Sequence, residues 1–162
     1  MTTTSSRYQV SIEADPTVPI IRKTRDFDAT PAELMRAHTD PELFARWVGP
    51  NGMETEILDW DATTGGRWRY VARRDGVEFG FHGCFHEVSD ESIVQTFTFD
   101  GYPDGVSLET MTFEDLGEGR SRITGMSLVE SLETRNMMLS GGMEVGVVEG
   151  YEQLDELLAT QS

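Results

Sequence analysis

Apolar and polar positions alternate along most of the first 130 residues, and a period of two predicts strands. Tyr8, Val10 and Ile12 alternate with Gln9, Ser11 and Glu13 until Asp15-Pro16 breaks the run, which predicts a short extra edge strand. Val18 to Phe27 predicts a better one. Six more follow: Met53 to Trp60, Arg67 to Arg74, Val77 to Val88, Ile93 to Phe99, Val106 to Glu114 and Arg120 to Val129. Most are joined by short turn signals, among them Thr64-Gly65-Gly66, Asp75-Gly76 and Gly117-Glu118-Gly119. The alternation also sorts side chains onto faces. Trp68, Tyr70 and Ala72 share one face, and Arg67, Arg69 and Arg73 the other. Phe79, Phe81 and Phe85 lie opposite Glu78, His82, Cys84 and His86; Ile93, Phe97 and Phe99 share a face, as do Met111 and Phe113.

The period changes to that of a helix in three places. Thr30-Pro31-Ala32-Glu33 is a capping box with proline at the first helical position, predicting a short helix over Pro31 to His38. Asp40-Pro41 repeats the signal and predicts a second, to about Trp47, ended by Gly49-Pro50-Asn51-Gly52. From Leu132 to Thr160 the residues Leu139, Met143, Val147, Tyr151, Leu154 and Leu158 recur on one face of a helix. At 1.5 Å per residue a helix of roughly 26 residues is about 39 Å long. Gly142, Gly146 and Gly150 border its apolar face, and each costs about 1 kcal/mol relative to alanine, so they need a packing or spatial reason. A run of antiparallel strands that must bury one face on a few helices is an α+β design.

Composition narrows the choice of partners. The chain of 162 residues carries 29 acidic and 13 basic side chains, a net charge of -16. A field of that sign disfavours nucleic acid and anionic membranes. No stretch is apolar for long enough to span a bilayer, so no membrane insertion is expected. The start, MTTTSSRYQV, does not read as a secretion signal, and the single Cys84 allows no internal disulfide; both favour a cytoplasmic protein. Residues 1–15 read as a tail with the extra edge strand, and 16–162 as one domain. The free edge of that first strand is a candidate surface for homodimer formation.

The joints of this pattern carry a resemblance. Phe27-Asp28-Ala29-Thr30-Pro31, Asp40-Pro41-Glu42-Leu43-Phe44-Ala45-Arg46-Trp47, Gly49-Pro50 and Gly65-Gly66-Arg67-Trp68 stand in order, followed by Asp75-Gly76, Gly83-Cys84-Phe85-His86-Glu87-Val88 and Gly150-Tyr151. Over residues 18–160 the chain resembles the START-like superfamily, and within it the proteins homologous to the activator of Hsp90 ATPase. The resemblance implies the helix-grip fold: a curved antiparallel sheet wrapped around a long C-terminal helix, with two short helices between its first two strands. It further implies an internal cavity between sheet and helix that takes lipids, polyketides or other apolar molecules. A minority of the superfamily are cyclases, dehydratases or hydrolases.

Within that frame the aromatic and methionine faces become a candidate lining. The expected ligand-binding residues are Trp68, Tyr70, Phe81, Phe97, Phe99, Met111, Phe113, Met143, Gly146 and Val147. Packed core is the competing reading for every one of them. His82-x-Cys84-x-His86 has metal-ligand spacing on a strand, yet zinc wants three or four ligands and a supporting shell, so neither metal nor cofactor is expected. No nucleophile elbow or activated cysteine is present. Glu109, His82 and Glu56 are the candidates for acid–base work if they point inward, and Arg69 and Arg73 for an anionic head group. The expected function is binding of a small apolar or amphipathic molecule. The alternatives are an enzyme of the polyketide cyclase or hydrolase type, and a protein-interaction module like the chaperone activator.

Overall fold

A computed structural model describes residues 8–161; the polar tail expected over the first seven residues lies outside them. Eight strands form one antiparallel sheet. They are β1 (Ser11–Ala14), β2 (Ile20–Phe27), β3 (Glu54–Trp60), β4 (Arg67–Arg74), β5 (Val77–Val88), β6 (Ser92–Phe99), β7 (Ser107–Gly117) and β8 (Arg120–Leu128). Their spatial order is β1-β2-β8-β7-β6-β5-β4-β3. Antiparallel hairpin connections join β3 through β8, whereas β2 pairs with β8, the last strand of the chain. Asp75 and Gly76 take positive φ in the β4–β5 hairpin, as a two-residue turn requires.

Helices α1 (Pro31–Thr39) and α2 (Pro41–Trp47) fill the connection between β2 and β3. Their ends follow the local chemistry. Thr30 Oγ1 accepts from the Glu33 N–H while Glu33 accepts from the Thr30 N–H, and Asp40 Oδ1 accepts from the Glu42 and Leu43 N–H groups. The Trp47 indole then donates to the Ala37 carbonyl at 2.9 Å and fixes the angle between the two helices.

The last helix departs from expectation. It is two helices, α3 (Leu132–Ser140) and α4 (Met143–Gln161), separated at Gly141-Gly142. Gly142 has φ +87°, and the Gly141 N–H closes α3 on the Met137 and Leu139 carbonyls. A residue with that φ cannot continue a right-handed helix. Nineteen residues remain in α4, about 28 Å of helix. Its second half is fixed firmly. Tyr151, Leu154, Leu157 and Leu158 are buried against Phe27, Leu34, Ile93, Phe113 and Ile123. Gly150 permits the close approach to α2: a Cβ there would stand 3.3 Å from the Trp47 carbonyl oxygen, and Gln153 Nε2 donates to the Trp47 and Gly49 carbonyls. Arg25 of β2 donates twice to Asp155, at 2.8 and 2.6 Å, and ties the same half to the sheet.

Candidate functional site: the cleft beneath the last helix

Side chains on the concave face of the sheet change character along the strands. At the end covered by α1, α2 and the second half of α4, Phe27, Phe85, Ile93, Phe113 and Ile123 are all buried. Toward the other end, Lys23, Phe81, Gln95, Phe97, Glu109 and Met111 point to the same side and yet keep accessible surface. Met143 and Val147 lie on the α4 face that carries Tyr151, two turns and one turn before it, and they too are only half-buried. The backbone of α4 finds its nearest neighbours mainly in α2, with α1 and α3. A shallow hollow of about 520 Å³ lies elsewhere, between Glu87, Ser89, Glu114 and Asp115; of the expected lining residues it includes Phe113. The concave face toward the first half of α4 thus keeps partly accessible side chains, where the resemblance implied the lining of an enclosed cavity.

Five of the expected residues meet in one aromatic wall. Trp68 stacks on Tyr70 with ring centres 5.5 Å apart and lies 5.4 Å from Phe97. Phe81 is 5.2 Å from Tyr70, 5.4 Å from Phe97 and 5.4 Å from Phe99. Gly83 lets the indole lie flat on β5, because a Cβ there would stand 2.8 Å from Trp68 Cζ2. Trp68 and Tyr70 are buried, while Phe99 at the outer end is 38% exposed. Phe113 stands apart, at the closed end, 5.2 Å from the His38 ring. Gly146 faces Pro50, whose Cδ would be 3.7 Å from an added Cβ.

The polar groups of the cleft are mostly ones the sequence reading passed over. Ile21, Lys23, Arg25 and Phe27 alternate onto the concave face of β2, so two cations enter the interior. The signal was available: Ile21 and Phe27 bracket Lys23 and Arg25 at period two. Lys23 lies across β8 opposite Gly125, where a Cβ would stand 2.8 Å from its Cε. Its ammonium is 5.5 Å from the centre of the Tyr151 ring. Burial disfavours the charge, but the Tyr151 hydroxyl and the Glu109 carboxylate outweigh it and hold the pKa above the ordinary lysine value. Glu109 accepts a short hydrogen bond from Ser107 Oγ. Three buried polar atoms have no partner among the described residues: Tyr151 Oη, Trp68 Nε1 and His38 Nε2. Each such atom, left dry, costs about 1–3 kcal/mol.

Other candidates turn outward. Glu56 and Glu78 both pair with Arg73, and Asp100 bridges Arg69 and His82 at 2.7 and 2.6 Å. The two arginines offered for an anionic head group are thus engaged on the outer face. His82 is drawn to Asp100 there, and Cys84 and His86 beside it are exposed. Of the three acid–base candidates, Glu109 alone faces the cleft.

His38 gives a pH prediction. Burial pushes its pKa down to about 4, and the bond between its Nδ1 and the Leu34 carbonyl only partly opposes this. In the unfolded chain it protonates near 6.5. Between these values the unfolded state binds more protons, so stability falls as pH drops from about 6.5 to about 4, by up to about 3 kcal/mol. Chemical denaturation at pH 7 and pH 4.5 should show a smaller acid loss for His38→Leu than for wild type; equal losses would refute this role.

The family model for the Activator of Hsp90 ATPase homolog 1-like protein matches residues 28–159. The chain belongs to that family. Protein Ms6760 from Mycobacterium smegmatis is similar to it at 23% identity over 93% of this chain and 97% of that one, with a TM-score of 0.83. A Rhodobacter sphaeroides protein has 23% identity over 95% and 100% of the two chains and a TM-score of 0.83. An Arthrobacter aurescens protein reaches 27% over 93% and 91%, with a TM-score of 0.84. A comparison with curated proteins finds no match. Membership in the Hsp90 ATPase activator homologue family and these likenesses establish the helix-grip fold of the START-like superfamily. Among the described residues no helix is long and apolar enough to cross a membrane.

Proposed function

We propose that this protein binds a small amphipathic molecule in the cleft between the first half of α4 and strands β5 to β7. One observation supports the reading: concave-face residues that a filled grip would bury, Phe81, Phe97 and Met111, stay partly accessible on the face that also carries buried polar atoms without partners. An aromatic wall with a few convergent polar groups is what a small-molecule site requires. The flexible thioethers of Met111 and Met143 suit an adaptable contact surface. Phe81, Phe97, Met111 and Val147 are the lining we assign, with Trp68 and Tyr70 behind them. Titration with a neutral naphthylamine fluorophore tests this. Wild type should take up one equivalent, and Val147→Trp, which fills the cleft from the helix side, should bind at least tenfold more weakly. A wild type that takes up no probe would defeat the reading.

A second reading, an interaction module, is favoured by a different observation. Met137, Val145 and Val148 are exposed on α3 and α4, at 50%, 55% and 40%. Replacing Val145 and Val148 by serine separates the two readings, since probe uptake depends on the opposite side of the helix.

A further inference from the structure

We propose that Lys23 anchors the carboxylate head group of the molecule held in the cleft, with the Tyr151 hydroxyl as its second donor; the inference rests on the binding reading above. An ammonium carries three donors and no acceptor. Among the described residues no carboxylate oxygen lies within 4.0 Å of the Lys23 ammonium, and the Tyr151 hydroxyl is the first group that acts on it. Glu109 acts on it only from farther away. The Lys23 side chain is only partly buried and its ammonium is not among the enclosed polar atoms, so it stands where a group entering the cleft can reach it.

The surroundings favour one kind of completing group. Tyr151 is 4% exposed, its hydroxyl has no partner, and its ring lies beside the lysine. A carboxylate offers two acceptor oxygens, one for the ammonium and one for the hydroxyl. Glu109 on the same face makes a doubly charged head group such as a phosphate unfavourable. Arg25, the other cation on this face, is taken up by Asp155, and Arg69 and Arg73 are paired on the outer face. Gly125 has its own part here, since any side chain would push the lysine off the sheet. The apolar part of the ligand then lies along Phe97, Met111 and Val147, which remain partly accessible.

Calorimetric titration of decanoate, decanol and decyl phosphate at neutral pH tests the assignment, because the three share one chain and differ in the head group. Wild type should prefer decanoate over decanol by roughly tenfold or more, the value of one charged hydrogen bond, and over decyl phosphate as well. Lys23→Met should bring the decanoate-to-decanol ratio close to one, while Lys23→Arg should retain most of it. Tyr151→Phe should lower the ratio severalfold and serves as the readout if the lysine variant does not fold. Equal binding of decanoate and decanol by wild type leaves the cleft standing and overturns the role of Lys23, as does a ratio unchanged in Lys23→Met. Tighter binding of decyl phosphate overturns the choice of carboxylate. Binding of none of the three overturns the cleft itself, and the head-group site with it.

Discussion

Gly83→Ala should be among the most destabilising single methyl additions in this protein. The added Cβ would stand 2.0 Å from the Thr96 carbonyl oxygen and 2.8 Å from Trp68 Cζ2. The oxygen belongs to the backbone of β6, and the residue next to Gly83 bonds the same strand through Cys84 N–H to Thr96 Oγ1 at 2.9 Å. The strand cannot yield without loss of sheet hydrogen bonds, so the indole and the local register both move. Overpacking of this kind costs about 3 kcal/mol, which lowers the melting temperature by roughly 6–12 °C in a domain of this size. The near-ultraviolet signal of stacked Trp68 should change with it. A variant that melts with wild type and keeps that signal would show that β5 and β6 are spaced more loosely than described here.

Asp155→Asn should have a comparable effect by another route. Arg25 is fully enclosed, with its side chain 2% exposed, between the Phe27 ring at 4.5 Å and the Tyr151 ring at 5.8 Å. Two charge-assisted bonds to Asp155 compensate for its burial. An asparagine keeps the shape and removes the charge, leaving a buried guanidinium underpaired. Breaking a buried pair from one side typically costs 3–5 kcal/mol, and about 3 kcal/mol is expected here because Asp155 itself still meets water. Arg25→Met in the same background should recover much of the loss, since it removes the stranded charge. A double variant no better than Asp155→Asn would show that the pair does not act as a unit.

The parts of this fold differ in how far the sequence alone reveals them. The helix starts are written in adjacent residues: Thr30 with Glu33, and Asp40 ahead of Pro41, act within one turn, so local chemistry suffices to find them. The aromatic wall is nearly as legible, because period two places Trp68 with Tyr70 and Phe97 with Phe99 before any fold is known. The break at Gly141-Gly142 is harder. Gly142, Gly146 and Gly150 have the same spacing in the sequence, yet one takes a left-handed φ, one faces Pro50 and one admits the backbone of α2. Only tertiary packing distinguishes them. Lys23 and Arg25 were hidden for a related reason. Alternation shows that they share a face with Ile21 and Phe27, but cations on a strand ordinarily meet solvent, and only the pairing of β2 with β8 puts them on the concave side.

The methionines allow the central claim to be tested by a single measurement. Met111 and Met143 border the cleft, whereas Met53 leads into β3 and Met126 lies on the outer face of β8, paired beside Arg22 and Thr110. In protein carrying isotope-labelled methionine methyl groups, titration with decanoate or the neutral fluorophore should move the Met111 and Met143 signals and leave those of Met53 and Met126 in place. Shifts confined to Met53 or Met126, or no shifts at saturating ligand, would contradict a binding cleft beneath α4.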